Sequence, residues 1–252
     1  MSAGVAATGW RRRARPLLGT LVEVGLRDDG PAAAAAVEAA FDTVRELQAC
    51  LSRYVPGSDI ARFAALRRGG WLTLHPAARA VFAAAQQLRD ASAGAFDISL
   101  GSAPFGWQFE AGRLHKLDAA ARLDLGGIGK GRAIDSAVEA LIAHRGRAGW
   151  VNAGGDLRAF GDVDVPVVLR DEVGGGVRTF AWLRDGAFAT SRYGPGSRCQ
   201  LAGGAPGAPA HRHVSVAAPL ALWADALTKL VALRGDVGDP LLARHDAQAW
   251  LH

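Results

Sequence analysis

The segment Leu123-Asp-Leu-Gly-Gly-Ile-Gly-Lys-Gly-Arg-Ala-Ile-Asp135 changes character within a few residues, and the rest of the chain is organised around it. Its first three residues are typical of the end of a β-strand. The glycines that follow predict a turn, and they are Gly126, Gly127, Gly129 and Gly131. Apolar residues then recur at helical spacing, at Ile134, Val138, Leu141 and Ile142. The segment therefore predicts a strand, a glycine turn and a helix.

A glycine turn that leads into a helix presents bare backbone amides beside the positive end of the helix dipole. This arrangement suits a phosphate or a diphosphate. Lys130 adds a cation to the turn, and Asp124, just before it, can accept hydrogen bonds or meet a metal. The alternative is an ordinary tight connection between a strand and a helix, and glycines alone favour that alternative.

Two common nucleotide motifs do not fit the segment. A P-loop needs a glycine where Asp124 stands and a serine or threonine where Gly131 stands. A dinucleotide fingerprint that begins at Gly129 needs a glycine where Ile134 stands. Any phosphate site here is thus of another type.

The chain has 252 residues, half of them hydrophobic, which is enough for one large domain or two closely joined ones. We expect a flexible basic N-terminus over residues 1–14 and a single domain over 15–252. No apolar run is long enough to span a membrane. No apolar core follows the N-terminal arginines as in a secretory signal, so the sequence as given predicts a cytoplasmic protein.

Composition excludes several classes of protein. Cys50 and Cys199 are too few for a disulfide framework and too far apart for a metal knuckle. The net charge is +5, but the arginines beyond the N-terminal run are scattered. We therefore do not expect nucleic-acid binding.

Local patterns predict most of the remaining elements. Arg15–Leu26 is predicted to be one strand with a glycine inside it, and a long helix should follow through about Cys50. Ser58 is a candidate cap for a short helix. The segment from Gly94 to Gly101 is predicted to enter a strand. Strands at 163–170 and 177–183 should be joined by glycines, in a β-rich second half.

The central segment, from Asp124 to Asp135, resembles the signature of the ApbE family, the FAD:protein FMN transferases. Gly94-Ala-Phe-Asp-Ile-Ser99 and Ala224-Asp-Ala-Leu227 resemble two further motifs of that family, in the same order. The resemblance implies an α+β fold with the nucleotide site between two α/β halves. It also implies transfer of FMN from FAD to a threonine or serine hydroxyl of an acceptor flavoprotein, with release of AMP.

The resemblance implies a set of residues that bind FAD: Leu18, Tyr54, Ala95, Phe96, Asp97, Asp124 and Lys130. Tyr54 would pack against the isoalloxazine, and Asp97 would be the hydrogen-bonding group in the flavin and adenine pocket. Leu18 stands where the family has a methionine, and it could equally be a core residue. Asn152 and Asp156 are expected to hold a glycine turn.

The resemblance also implies a Mg²⁺ held by Asp225 and by the carbonyl of Gly127. The family's second side-chain ligand is a threonine, and Lys229 occupies that position here. Two alternatives are open: the lysine ammonium replaces the metal as a cation, or Thr228 becomes a ligand through a small local adjustment. Asp225 and Lys229 are also spaced as an ordinary helical ion pair.

The chain departs from the family at its His-Ile-Ile-Asp-Pro motif, which has no counterpart between Tyr193 and Val214. His211 or His213 could replace the missing base. The predicted catalytic residues are therefore Asp225, Lys229 and His213. A protein that binds FAD without transferring FMN, and a Mg²⁺-dependent FAD pyrophosphatase that releases FMN and AMP, are the alternative functions. Relatives in this family are often exported.

Overall fold

The computed structural model describes residues 9–28, 30–170, 175–193 and 213–252. In chain order the elements are β1 (Arg11–Leu17), β2 (Thr20–Leu26), α1 (Pro31–Leu51), α2 (Asp59–Ala65), β3 (Trp71–Thr73), a 3₁₀ turn (Pro76–Ala78), α3 (Arg79–Ala91), β4 (Trp107–Glu110), β5 (Arg113–Lys116), α4 (Gly129–Ala143), β6 (Gly149–Ala153), β7 (Asp156–Phe160), β8 (Val165–Arg170), β9 (Val177–Leu183), β10 (Gly186–Arg192), β11 (His213–Ala218), α5 (Ala221–Arg234), α6 (Pro240–Arg244) and β12 (Gln248–Leu251). Helices and strands mix along the chain, and the predicted α+β class is confirmed.

The largest sheet has seven strands in the order β1-β2-β6-β7-β10-β11-β12, and every neighbouring pair in it is antiparallel. Two smaller sheets accompany it in the described part of the chain, β3-β5-β4 and β8-β9. On β2, Val22 and Val24 are buried while Glu23 is half-buried. This alternation is what a strand with one covered face requires.

Helices α1 and α5 contribute to two apolar cores. One core joins β2 and β6 to α1 and α4, through residues such as Val24, Phe41 and Val138. The other contains Phe82 and Trp107 together with one side of α5. Because α5 contributes to both cores, it is buried on nearly all sides. Such burial is typical of a helix that is apolar around most of its surface. The polar residues that α5 carries are thus deep inside the molecule.

The N-terminal part of the chain corrects two expectations. The strand β1 begins at Arg11, so the segment 1–14 is not a flexible arm as a whole. The expected single strand Arg15–Leu26 is a hairpin, with Leu17 opposite Thr20. Leu18 and Gly19 form its turn with φ of 55° and 70°. Two successive left-handed residues match the twist of a hairpin, and glycine adopts that conformation readily.

The central segment also differs from its prediction. Residues 121–125 are not a strand, although the backbone N–H of Asp124 donates to the Ile98 carbonyl at 2.8 Å. Helix α4 begins at Gly129, so the last two glycines belong to the helix and not to the turn. Ile142 is half exposed, whereas Ile134, Val138 and Leu141 are buried as expected.

Other local predictions are confirmed. The long helix α1 ends at Leu51, and the Ser58 hydroxyl accepts the Ala61 N–H at 3.0 Å to cap α2. Strands β8 and β9 pair antiparallel across the predicted glycines. The expected strand entry at Gly94–Gly101 is instead a series of turns, because the side chains of Ser92 and Asp97 accept hydrogen bonds from its backbone N–H groups. No helix among the described residues is long and apolar enough to cross a membrane.

Candidate active site

The start of α4 packs against the start of α5 at backbone distance. A Cβ on Gly131 would lie 2.2 Å from the Ala221 carbonyl oxygen, so only glycine fits at this position. From the other side, the Gly131 N–H donates to Asp225 Oδ2 at 3.1 Å. The glycine motif thus allows the amino end of α4 to contact the Asp225 carboxylate on α5.

Asp225 lies at the centre of a cluster of charged side chains, which we call the lysine–aspartate cluster: Lys130, Asp156, Asp225 and Lys229. Asp225 is fully buried. Its Oδ1 is 2.5 Å from Lys229 Nζ and 3.8 Å from Lys130 Nζ. Lys130 also forms an ion pair with buried Asp156, which begins β7. Helix α4, helix α5 and strand β7 therefore each contribute a charged group to one place.

Burial by itself raises the pKa of Asp225, but its neighbours outweigh that effect. The ammonium groups of Lys130 and Lys229 and the amide of Gly131 together hold the pKa of Asp225 below its usual value. The carboxylate is therefore ionised at neutral pH. Two carboxylates face two ammonium groups in the cluster, so their formal charges cancel.

Lys229 is surrounded by oxygen atoms. Besides Asp225 Oδ1, its Nζ donates to Ser191 Oγ at 2.9 Å and to the Asp225 carbonyl at 3.0 Å. Thr228 Oγ1 donates to the same carbonyl at 2.7 Å and lies 2.8 Å from Ser191 Oγ. A Cβ on Gly127 would lie 3.4 Å from Lys229 Cε, which places the glycine turn beside the lysine side chain.

These residues do not fit the expected Mg²⁺. Magnesium requires oxygen ligands in octahedral geometry at about 2.0–2.1 Å. Here an ammonium group already contacts the Asp225 carboxylate, and the Thr228 hydroxyl is bonded to protein oxygens. Among the described residues, no group of three or more His, Cys, Asp or Glu side chains could hold a metal ion.

A cavity of about 310 Å³ lies at the other end of the glycine turn, beside Asp124. Its polar lining includes Arg53, Ser99, Ser102 and Arg122. The Ser99 hydroxyl is buried and has no hydrogen-bond partner among the described residues. A buried donor without a partner is costly, so this hydroxyl is a natural contact for a polar ligand atom.

Arg53 links two of the predicted FAD-binding residues. Its guanidinium donates to Asp124 Oδ2 at 3.0 Å and to the Tyr54 hydroxyl at 2.6 Å. The same group lies 4.8 Å from the centre of the Tyr54 ring. Tyr54 is 78% exposed, so its ring is available for contact from solvent. The structure thus brings Tyr54 and Asp124 together at one edge of the cavity.

The predicted Ala95, Phe96 and Asp97 do not line the cavity, although Ser99, two residues further along the chain, does. Phe96 is part of an apolar core, and Ala95 packs against it. The Asp97 carboxylate is buried and accepts three hydrogen bonds, from the Ser99 N–H at 2.8 Å, the Phe105 N–H at 3.1 Å and Trp107 Nε1 at 2.9 Å. Asp97 therefore holds Ser99, which lines the cavity, in place.

Leu18 lies at the turn between β1 and β2, where its N–H donates to Gln48 Oε1 at 2.6 Å. That turn approaches a second one, because a Cβ on Gly154 would lie 2.6 Å from Thr20 Oγ1. The second turn leads directly into Asp156. Asn152 Oδ1 accepts the Gly155 N–H at 3.0 Å, which agrees with its expected role in that turn.

His213 begins β11 and lies opposite Arg192, one ladder position from the Ser191–Val214 pair. Its backbone also pairs with His252. The other candidate, His211, lies outside the described residues.

Two residues of the site were not predicted. Ser191 contacts Lys229, and its only sequence signal is the Ala189-Thr-Ser motif. Asp135 accepts the N–H groups of Ala221 and Leu222 and an N–H of Arg158, and thereby positions α5. Burial raises the pKa of Asp135, and these three donors counteract the effect only in part.

Comparisons with known proteins agree with this architecture. A family model described as the ApbE family matches residues 18–251. No match was found among the curated proteins.

The solved structures include several similar folds. The flavin transferase ApbE from Vibrio cholerae has a TM-score of 0.80 and 17% identity, over 96% of this chain and 93% of that one. The apo flavinyl transferase ApbE from Pseudomonas stutzeri has a TM-score of 0.75 and 23% identity, over 89% and 84%. An ApbE protein from Thermotoga maritima has a TM-score of 0.78 and 21% identity, over 93% and 89%. At these identities the likeness shows a shared fold.

Proposed function

The chain belongs to the ApbE family, and on that premise we propose that it is an FAD:protein FMN transferase. FAD is its substrate, and the acceptor is a flavoprotein with a threonine or serine at the modified position. The acceptor hydroxyl attacks the phosphorus of the FMN half. A new P–O bond forms, the diphosphate bond breaks, and AMP leaves.

Catalysis of such a step consists mainly of positioning the groups and stabilising negative charge on the phosphoryl oxygens. The observation that carries the proposal is the place of Lys130. It lies in the first turn of α4, where a helix N-terminus favours anions. Its side chain is partly exposed, whereas Asp156 and Asp225, which hold it, are buried. The accessible member of the cluster is therefore a cation, which supports a diphosphate contact.

The cavity beside Asp124 supports a second contact with the nucleotide. Its volume of about 310 Å³ suits one ring system rather than a whole dinucleotide. We propose that Tyr54 stacks on the ring and that Asp124 and Ser99 bond its polar edge. Leu18 and Ala95 would supply apolar contact with other parts of the nucleotide, Phe96 would support the cavity from the core, and Asp97 would act by holding Ser99.

The acceptor hydroxyl must lose a proton during the attack, and the sequence predicts His213 as the base. A neutral imidazole is suited to this role near neutral pH. The strand register does not support this role. Val214 pairs with Ser191, and successive side chains of a strand point to opposite faces, so the His213 side chain lies on the other face of the sheet from Ser191. We therefore do not propose His213 as the base.

The proposal is tested by following both products of FAD. The purified protein is incubated with FAD and an extract of source cells that lack the gene, and AMP release is measured. Proteins are then separated under denaturing conditions and inspected for flavin fluorescence. We expect AMP release together with a fluorescent protein band that is absent when the purified protein is left out. Free FMN without a band would indicate a pyrophosphatase, and FAD binding without AMP release a binding protein. Either result would overturn the proposal.

A further inference from the structure

We propose that the ammonium group of Lys229 is a built-in replacement for a divalent cation, so that FAD binding at this site does not require Mg²⁺. The inference deepens the proposed function and rests on it for the identity of the nucleotide. The part of the inference that concerns metal ions can be tested on the protein without FAD.

The first argument is the environment of Lys229 Nζ. A carboxylate oxygen, a backbone carbonyl and a hydroxyl surround it, at 2.5 Å, 3.0 Å and 2.9 Å. Oxygen donors of these three types are the ligands that hard cations such as Mg²⁺ prefer. An ammonium group donates protons to oxygen acceptors, and three such acceptors among the described residues contact this one. The lysine therefore provides the positive charge that such a group of oxygens attracts.

The second argument is the direction of the hydrogen bonds around the ammonium group. Lys229 donates to Ser191, and Thr228 donates to the Asp225 carbonyl. The bond between the two hydroxyls is then completed by Ser191 donating to Thr228. The chain of donors runs from the lysine through both hydroxyls to the carbonyl. This arrangement gives the Thr228 hydroxyl a protein donor and a protein acceptor, which favours the lysine over Thr228 as the replacement for the metal.

The third argument is charge. Lys130 and Lys229 already balance Asp156 and Asp225. A divalent ion at the same oxygens would lie next to an ammonium group and would leave the cluster with excess positive charge. Asp225 is fully buried, so solvent would screen that repulsion poorly. Metal binding is therefore opposed while Lys229 is present.

Composition supplies independent support. The chain has 29 basic residues, and its lysines are only Lys116, Lys130 and Lys229. Lys116 is buried like Lys229, and its Nζ donates to the Phe63 carbonyl at 3.3 Å and the Ala64 carbonyl at 3.0 Å. Arginine serves as the cation elsewhere in the chain. An ammonium is a compact point charge and a guanidinium is a planar fork. At Lys116 and Lys229 a small cation lies buried among protein oxygens.

The test compares the wild-type protein with Lys229→Thr, which removes the ammonium and restores a hydroxyl. The melting temperature without FAD and the binding of Mn²⁺ by electron paramagnetic resonance report on metal binding. FAD titrations with MgCl₂ and with EDTA report on the nucleotide. Lys130→Thr makes the same substitution at the neighbouring lysine and is the matched control.

For the wild-type protein we expect no Mn²⁺ binding and FAD affinities that agree within about twofold between MgCl₂ and EDTA. For Lys229→Thr we expect Mn²⁺ binding, a melting temperature raised by MgCl₂, and an FAD affinity that MgCl₂ increases roughly tenfold or more. Lys130→Thr should bind FAD more weakly without gaining metal dependence.

Mn²⁺ binding by the wild-type protein, or FAD affinity that collapses in EDTA, would overturn the inference. If Lys229→Thr does not fold, as judged by circular dichroism, the wild-type measurements still show whether FAD binding requires a metal ion. If the wild-type protein binds no FAD under either condition, the proposed function fails. The Mn²⁺ and melting measurements then decide the inference about the cation separately.

Discussion

The carboxylate of Asp135 on α4 accepts the backbone N–H of Leu222 at 2.9 Å, so one helix caps the first turn of another. It also accepts the Ala221 N–H at 2.9 Å and Arg158 Nη1 at 2.8 Å. Because α5 carries Asp225 and Lys229, this cap determines where the lysine–aspartate cluster lies.

Replacing Asp135 by alanine leaves two helix amides and a guanidinium without their shared acceptor. We expect a loss of about 3 kcal/mol in the free energy of unfolding, since this is the usual cost of breaking a buried ion pair. Urea unfolding measures it. Asp164→Ala, at the exposed pair with Arg184, is the control and should leave the unfolding midpoint unchanged. Equal effects of the two substitutions would contradict the capping role.

Gly131→Ala places a methyl group where the Ala221 carbonyl oxygen lies. Since backbone cannot move aside as a flexible side chain does, α4 and α5 must separate. We expect a destabilisation of about 1–3 kcal/mol and weaker FAD binding. Gly186→Ala is the matched control, because its nearest atoms would be 3.6 Å away at an ordinary φ. Calorimetric unfolding of both variants should separate them clearly, and similar melting temperatures would argue against the close approach.

The substitution Asp225→Asn tests whether the ionised carboxylate stabilises the fold, through the pH dependence of the free energy of unfolding. The pKa of Asp225 is lower in the folded protein than in the unfolded chain, so its stabilising contribution is complete above the unfolded value of about 3.9. The contribution disappears as the pH falls through the folded pKa. We expect the variant to be less stable by about 3–5 kcal/mol at pH 7, with the difference shrinking below about pH 4. Urea unfolding at several pH values measures this difference, and a pH-independent difference would be the contrary result.

Cys50 is predicted to be an unreactive thiol. Burial, followed by the charges of Asp59 and Glu46, raises the pKa of Cys50 to about 11. Since the thiolate is the reactive form, little is available at pH 8. In a Cys199→Ser variant, we expect Ellman's reagent to react slowly with the native protein and promptly after unfolding in guanidinium. A native rate near that of a free thiol would refute the prediction.

Tyr54→Ala tests the proposed stacking on the flavin. The loss of an aromatic contact is expected to weaken FAD binding by about 3- to 10-fold, or roughly 0.5–1.5 kcal/mol. Stability should not change, because the side chain is largely exposed. Trp182→Ala, another exposed aromatic, on β9, should alter neither property. Fluorescence titration with FAD measures both variants, and unchanged affinity for Tyr54→Ala would place the ring elsewhere.

Patterns in the sequence were sufficient where the interactions are local. The helix α1, the Ser58 cap and the β8–β9 hairpin follow from periodicity, capping and turn residues within a few positions. The resemblance to the ApbE family also placed the chain in the correct fold. Local reasoning failed where a turn required left-handed residues, as at Leu18 and Gly19, since leucine gives no signal for that conformation.

The sequence by itself determined the glycine motif, the short path from Asp124 to Lys130, and the i, i+4 spacing of Asp225 and Lys229. Only the tertiary structure decided that Asp156 and Ser191 meet these residues and that Asp135 caps α5. The physical reason is that spacing within a helix follows from its pitch. The partners of a buried charge, by contrast, come from other elements, and packing alone brings those elements together. The burial of α5 therefore decided that Lys229 pairs with Asp225 in the interior and not at the surface.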